Sequence, residues 1–176
     1  MDPKLVSGGT DRRPLKALPE GVQRVTPYLV IEGAAQTLAF YQEAFGAEEV
    51  ERQELPDGKL LHGSMRIADS LVMMSDEFPG ADAHNPRDLG TSTVVLHIYS
   101  DDVDALWERA LAAGGKPLMP LEDQFWGERY GKLVDPFGHH WTMSTPVEMS
   151  EEEAEALRQE AFAAFESEEH PGSSGE

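Results

Sequence analysis

Residues 34–46, AAQTLAFYQEAFG, and residues 102–114, DVDALWERALAAG, carry one helical pattern twice, separated by 68 positions. The shift superposes four small or apolar positions, placing Ala35 on Val103, Leu38 on Leu106, Ala44 on Ala112 and Gly46 on Gly114. Apolar residues three and four positions apart predict amphipathic helices, and the closing glycine predicts where each helix ends. The chain is therefore predicted to contain an internal repeat, which decides its architecture.

Each predicted helix follows one predicted strand and precedes three more. The first set covers residues 25–31, 48–53, 60–67 and 71–75, and the second covers 94–99, 117–121, 128–134 and 140–144. Pro56-Asp57-Gly58 and Asp135-Pro136-Phe137-Gly138 are predicted turns, and Asp101 is the predicted N-cap of the second helix. Neither unit can bury both faces of its elements alone. We therefore predict an α+β fold in which two βαβββ modules form a curved mixed sheet around a pocket.

The domain boundaries follow from changes in composition. Residues 1–22, with three prolines and no apolar period, are predicted to be a disordered leader. The domain is predicted to cover residues 23–147, with modules at 24–77 and 92–146 and a linker at 78–91. An acidic helix is predicted at 148–170, because Ser150 and Glu153 form a capping box before an apolar stripe. Residues 171–176 are predicted to be a disordered tail.

Composition excludes several classes of function. The chain has no cysteine, which excludes disulfides and thiolate zinc sites, and its formal net charge is -19. This charge argues against nucleic acid and anionic membranes as partners. The chain has no secretory signal pattern and no apolar run that could span a membrane, so we expect it in the cytoplasm. About half of the net charge lies in residues 148–176. This acidic segment is either a solvated helix face or an acidic contact surface.

The repeat resembles the paired modules of the vicinal oxygen chelate superfamily, the glyoxalase, bleomycin-resistance and dioxygenase type. Seven motifs in residues 24–146 resemble its PhnB-like subgroup: Val25-Thr26-Pro27-Tyr28-Leu29, Phe40-Tyr41, Ala44-Phe45-Gly46-Ala47, Leu61-His62, Asp76-Glu77-Phe78, Gln124-Phe125-Trp126-Gly127 and Asp135-Pro136-Phe137-Gly138-His139. The resemblance implies the glyoxalase-like fold. It does not determine the function, because one fold can carry many different functional sites. The superfamily includes isomerases, epimerases, dioxygenases, transferases and non-catalytic antibiotic-binding proteins.

The resemblance also implies where a metal ion would bind. Metal-dependent members take four His or Glu ligands from the first and last strands of the modules. These positions fall near Thr26, Met73, Val95 and Thr142, and neither they nor their immediate neighbours in sequence are His, Asp or Glu. We therefore expect no metal and no other cofactor. A site rebuilt from three of the strand histidines is the alternative.

The candidate pocket residues are polar or aromatic side chains on the predicted strands and loops, namely His62, Met73, His97, Gln124, Trp126 and Tyr130. His62 is the best candidate for a catalytic acid or base, and a packed structural histidine is the equal alternative. Trp126 could stack on a ligand, Gln124 could hydrogen-bond it, and Tyr130 could offer a hydroxyl. The alternative is that this loop covers a sheet edge or a dimer partner. Met65, Met73 and Met74 could line a soft cavity or fill the core.

Two functions remain open at this point. The first is an enzyme of glyoxalase type, a lyase, isomerase or transferase, acting on a small oxygenated organic molecule without the standard metal site. The second is a non-catalytic protein that binds or sequesters a small molecule. The resemblance implies a homodimer, and the apolar stripe of the acidic helix, Leu157, Phe162 and Phe165, also needs a partner surface.

Overall fold

The computed structural model describes residues 23–168 and confirms the two modules. The first contains β1 (Tyr28–Ile31), α1 (Ala34–Phe45), β2 (Glu48–Glu54), β3 (Leu60–Ile67) and β4 (Ser70–Asp76). A one-turn helix α2 (Pro86–Leu89) lies in the linker. The second module contains β5 (Val95–Tyr99), α3 (Val103–Ala112), β6 (Lys116–Gln124), β7 (Glu128–Val134) and β8 (His140–Pro146), and α4 (Glu151–Glu168) follows. The predicted leader 1–22 and tail 171–176 lie outside the described residues.

Each module forms its own four-stranded mixed sheet. The strand orders, β1-β4-β3-β2 and β5-β8-β7-β6, are the same in the two modules. In both, the first and last strands pair in parallel and the other neighbours are antiparallel. The identical topology confirms the repeat and the α+β class. The described part of the chain forms no closed barrel.

One hydrophobic core joins the modules. Helix α1 packs on the first sheet, α3 packs on the second, and the two helices contact each other. Phe40, Tyr41 and Phe45 of α1 are buried in this core, and so are Met65 and Met74. The face of each sheet that looks away from its helix takes no part in this core. We call it the open face.

The turn Asp135-Pro136-Phe137-Gly138 also links the two modules through its Asp135 side chain. The buried Asp135 carboxylate accepts hydrogen bonds from the backbone N–H groups of Phe137 and His139, both at 2.9 Å. It also accepts one from Trp141 Nε1 at 2.9 Å and one from the Tyr41 hydroxyl of the other module at 2.7 Å. Burial and the Asp135 charge raise the pKa of Tyr41 well above its usual value, so the phenol remains a donor. This carboxylate therefore ties α1 to the second module.

Several predicted elements differ from the structure in their bounds or content, among them α3, β1, β6 and the linker. The N-cap of α3 is Asp102 and not Asp101, because the Asp102 carboxylate is the one that accepts the Ala105 N–H, at 3.0 Å. β1 begins at Tyr28, directly after Pro27, which has no N–H to donate. β6 extends to Gln124 through two irregular pairings. The predicted linker holds α2, which Asn85 caps by accepting the Asp88 N–H at 3.1 Å.

Helix α4 begins with the predicted capping box. The Ser150 hydroxyl accepts the Glu153 N–H at 3.3 Å, and the Glu153 carboxylate accepts the Ser150 N–H at 2.9 Å. Its Phe162 is 55% exposed, and the Phe162 ring contacts that of Phe125, beside β6. Leu157 is half-buried, and the side chain of Phe165 lies outside the described residues. None of the helices in residues 23–168 is long and apolar enough to cross a membrane.

Candidate functional site

Strand alternation places the polar and aromatic side chains of β5 on the open face of the second sheet. Leu96 and Ile98 pack against the core, whereas Val95, His97 and Tyr99 are exposed on the opposite side. The register of the neighbouring strands determines what surrounds these residues. His97 pairs with Thr142 and Tyr99 with Ser144, and Ser144 pairs in turn with Tyr130.

His97 lies in the middle of β5, the edge strand of this sheet, and uses both of its ring nitrogens. Nδ1 lies 2.8 Å from the Thr142 hydroxyl, and Nε2 lies 3.1 Å from the Ser144 hydroxyl. The Tyr99 ring meets the imidazole edge-on, with centroids 4.4 Å apart, and the Tyr130 ring is nearly parallel to it at 6.1 Å. Partial burial lowers the pKa of His97, and the Glu128 charge opposes this shift. The imidazole is therefore predominantly neutral near pH 7.

Trp126 extends this arrangement from the turn between β6 and β7. Gly127, at φ +86°, supplies the left-handed residue that the turn requires. The Trp126 ring is 5.6 Å from Tyr130 and nearly perpendicular to it, and its Nε1 donates to Glu128 at 3.2 Å. Four rings thus follow one another across the open face in the order Tyr99, His97, Tyr130 and Trp126, and we call them the aromatic cluster.

The structure divides the six predicted pocket residues between the two sheets. His97, Tyr130 and Trp126 come together in the aromatic cluster. Gln124 lies at its margin, where its amide donates to the Glu122 carbonyl at 3.4 Å. His62 and Met73 lie instead on the open face of the first sheet. The His62 ring is 6.0 Å from that of Tyr28, which is the register partner of Met73.

A cleft of about 600 Å³ opens between the modules at the free edge of β5. This volume is within the range of small-molecule sites. Leu96, Ile98 and Trp141 form its apolar side, and the β3–β4 turn with residues 23–27 forms the other. His97 and Tyr99 line it as well, so the cleft is continuous with the aromatic cluster. Tyr99 was missing from the sequence-based candidates, although it alternates with His97 along β5 and could have been found.

Three of the four positions implied for metal ligands, Met73, Val95 and Thr142, lie on the open faces, whereas Thr26 precedes β1. The resemblance would put Met73 beside Thr26 and Thr142 beside Val95. In the structure Met73 pairs with Tyr28 and Thr142 pairs with His97, each two residues further along the strand. Of these six residues only His97 can ligate a metal through a side-chain nitrogen. Within residues 23–168, no three His, Asp or Glu side chains gather into a possible metal site.

The pair formed by Ser144 and His97 does not make a hydrolytic site. The Ser144 side chain is fully buried, so a substrate carbonyl cannot reach its hydroxyl. The second nitrogen of His97 contacts the Thr142 hydroxyl, where a nucleophilic triad would place a carboxylate. The arrangement fixes the orientation of the imidazole and leaves its exposed face available for contact.

The comparisons with known proteins agree with this fold. Residues 22–143 match the model of the Glyoxalase/Bleomycin resistance protein/Dioxygenase superfamily. An uncharacterised protein of Mycobacterium bovis is 45% identical over 126 residues, which cover 70% of this chain and 83% of the relative.

Two solved structures share the fold at lower identity. TioX from Micromonospora sp. ML1 gives a TM-score of 0.58 at 21% identity, covering 71% of this chain and 99% of TioX. The PhnB protein of Bacillus cereus gives 0.54 at 22% identity, covering 70% and 99%. With a family model matching residues 22–143 and two modules of identical topology, the chain belongs to the Glyoxalase/Bleomycin resistance protein/Dioxygenase superfamily.

Proposed function

We propose that this protein binds a small organic molecule on the aromatic cluster, without a metal ion and without chemical conversion. The observation that carries the proposal is the hydrogen bonding of His97. A neutral imidazole has one donor and one acceptor nitrogen, and the Thr142 and Ser144 hydroxyls engage both. No lone pair remains for a metal or for a substrate proton. The exposed rings around His97 offer apolar contact area instead.

The alternative of an enzyme of glyoxalase type would rely on His62 as acid or base. Among residues 23–168, no hydrogen bond orients its ring, and its aromatic neighbour is Tyr28. A catalytic histidine is usually held by a partner that fixes its tautomer. In residues 23–168 the His62 ring has no such hydrogen-bond partner. The His97 ring is oriented by hydrogen bonds, but these occupy both of its nitrogens. Binding is therefore the function that both histidines support better.

We further propose that two chains form a homodimer and that the open faces meet across it. Tyr28 on the first sheet is 49% exposed, and Tyr99 and Trp126 on the second are 67% and 47% exposed. Both sheets thus expose aromatic side chains on their open faces, as surfaces that pair with a partner often do. A two-fold pairing that places the first sheet of one chain over the second sheet of the other would bring His62 and Met73 towards the aromatic cluster.

The test is a thermal-shift screen of small organic molecules. A ligand that binds the folded state raises the melting temperature by mass action, so a hit is visible without an activity assay. Hits should lose their shift with Tyr99→Ala and with Trp126→Ala. The control is Leu89→Ala, which removes an exposed apolar side chain from α2. Hits that survive both aromatic substitutions bind elsewhere and would refute the proposed site.

A further inference from the structure

We infer that the ligand is a planar aromatic cation. This inference rests on the proposed binding function and specifies its ligand class. The evidence for it is the position of the carboxylates and of the positively charged side chains around the aromatic cluster.

Exposed ring faces are the first requirement for such a ligand. Tyr99 is two-thirds exposed and Trp126 is half-exposed, although both touch other rings of the cluster. Trp126 and Tyr130 meet at 76°, so they present two differently oriented surfaces to one ligand. The faces of Trp and Tyr carry negative electrostatic potential and attract cations within about 6 Å of the ring centroid. Tyr99 and the apolar side of the cleft can cover the planar remainder of the molecule.

Two carboxylates accompany the Trp126 end of the cluster. Glu128 accepts the Trp126 Nε1–H at 3.2 Å, and its charge also acts on His97. Glu122 is the register partner of Tyr130 and is exposed on the same face. Neither carboxylate forms an ion pair with a Lys, Arg or His side chain in residues 23–168. Both charges therefore remain available to a ligand cation.

One positive group near this site is unpaired, and the others are engaged. Lys132 shares the open face and forms no ion pair in residues 23–168. It lies in the register row of His97, because both residues pair with Thr142, and on the side of Tyr130 that faces away from Glu128 and Trp126. Arg129 points to the helix side, where Asp104 and Asp123 bind it at 2.7 and 3.1 Å. Arg158 pairs with Glu155 at 2.6 Å. With a net charge of -19 on the whole chain, the field around the Trp126 end favours a cation and repels an anion.

The experiment compares three probes that share one two-ring outline. The probes are 1-methylquinolinium, quinoline and naphthalene-1-sulfonate, titrated calorimetrically into the full chain at pH 8 and physiological salt. The cation should bind at least about tenfold more tightly than the neutral probe, a factor that corresponds to about 1.4 kcal/mol. The anion should bind most weakly.

Substitutions then locate the charge preference. Glu128→Gln keeps an oxygen for the Trp126 N–H while removing the charge, so it should weaken the cation several-fold and leave quinoline unchanged. Glu108→Gln removes one charge from the exposed surface of α3 and should change neither affinity. Tyr99→Ala should weaken the cation and quinoline alike, because it removes contact area and no formal charge.

The outcomes separate the ligand class from the binding function. If quinoline or the sulfonate binds as tightly as the cation and this binding depends on Tyr99, the class is wrong and the binding function stands. The class is also wrong, and the binding function again stands, if no probe binds but hits from the thermal-shift screen depend on Tyr99. If no probe binds and no hit depends on Tyr99 or Trp126, the proposed function fails and the class fails with it. Equal losses for Glu128→Gln and Glu108→Gln would refute the role of Glu128.

Discussion

Tyr41→Phe tests whether Asp135 ties the two modules together. The substitution removes the hydroxyl that donates to the Asp135 carboxylate at 2.7 Å and keeps the buried ring. A hydrogen bond to a charged group contributes about 1.5–3 kcal/mol. Three donors remain on the carboxylate, so the loss is confined to one bond. We expect the free energy of unfolding to fall by about 2 kcal/mol, and the melting temperature by about 4–8 °C for a chain of this size.

Urea denaturation followed by circular dichroism measures this change. Tyr28→Phe removes a half-exposed hydroxyl and is the control, with an expected change within about 0.5 kcal/mol. Asp135→Ala leaves the buried donors without an acceptor, so it should cost more than Tyr41→Phe. In that background Tyr41→Phe should cost little, because the partner is already gone. A loss below about 0.5 kcal/mol for Tyr41→Phe alone, or equal losses in both backgrounds, would refute the link.

Four further predictions concern the whole chain. Elemental analysis should find near-zero Zn, Ni, Mn and Fe in protein purified without chelators, and one equivalent of any of them per chain would contradict this. Light scattering at 150 mM salt should give twice the 19.4 kDa chain mass, because charges more than about 8 Å apart are largely screened there; a monomer mass would exclude a stable dimer. Deleting residues 1–22 and 171–176 should change the melting temperature by a few degrees at most, and loss of cooperative unfolding would show that one segment docks. Stability should fall as pH drops below about 6.5, because burial lowers the pKa of His139 and the unfolded chain then binds more protons than the folded one. The buried Nε2 of His139 has no hydrogen-bond partner within residues 23–168. His139→Asn should flatten this pH dependence, and an unchanged slope would exclude His139 as its source.

The sequence predicts those elements best whose signals are local. The bounds of α1 were predicted to the residue, because Gly33 and Gly46 flank it in left-handed conformations that few other residues adopt. The bounds of β6 were predicted poorly, since Pro117 and Pro120 interrupt the usual strand pattern and two irregular pairings accommodate them. The prolines are visible in the local sequence, but the way in which the neighbouring strand β7 pairs around them is not.

In the candidate site, too, the features that depend on local sequence were predictable and those that depend on strand register were not. Strand alternation alone puts His97 on the same side of β5 as Val95, and the structure shows that this side is exposed. The contact between His97 and Tyr130 was beyond local reasoning, because it depends on the register of β5 with β8 and then of β8 with β7. The Asp135 turn was predicted correctly as a turn. Its bond to Tyr41 spans 94 positions, so no local signal could indicate it.

Helix α4 lies beyond residues 22–143 but contacts the turn that carries Trp126. The Phe125 ring is 6.0 Å from Phe162 and 5.7 Å from the Arg158 guanidinium, and it meets the adjacent Trp126 ring edge-on at 5.1 Å. Packing by α4 therefore restricts Phe125, and through it the conformations open to Trp126. The Arg158 guanidinium that lies against Phe125 is paired with Glu155 at 2.6 Å, so its charge is largely balanced within α4. The acidic extension is thus suited to support a ligand site by ordering an aromatic ring beside it.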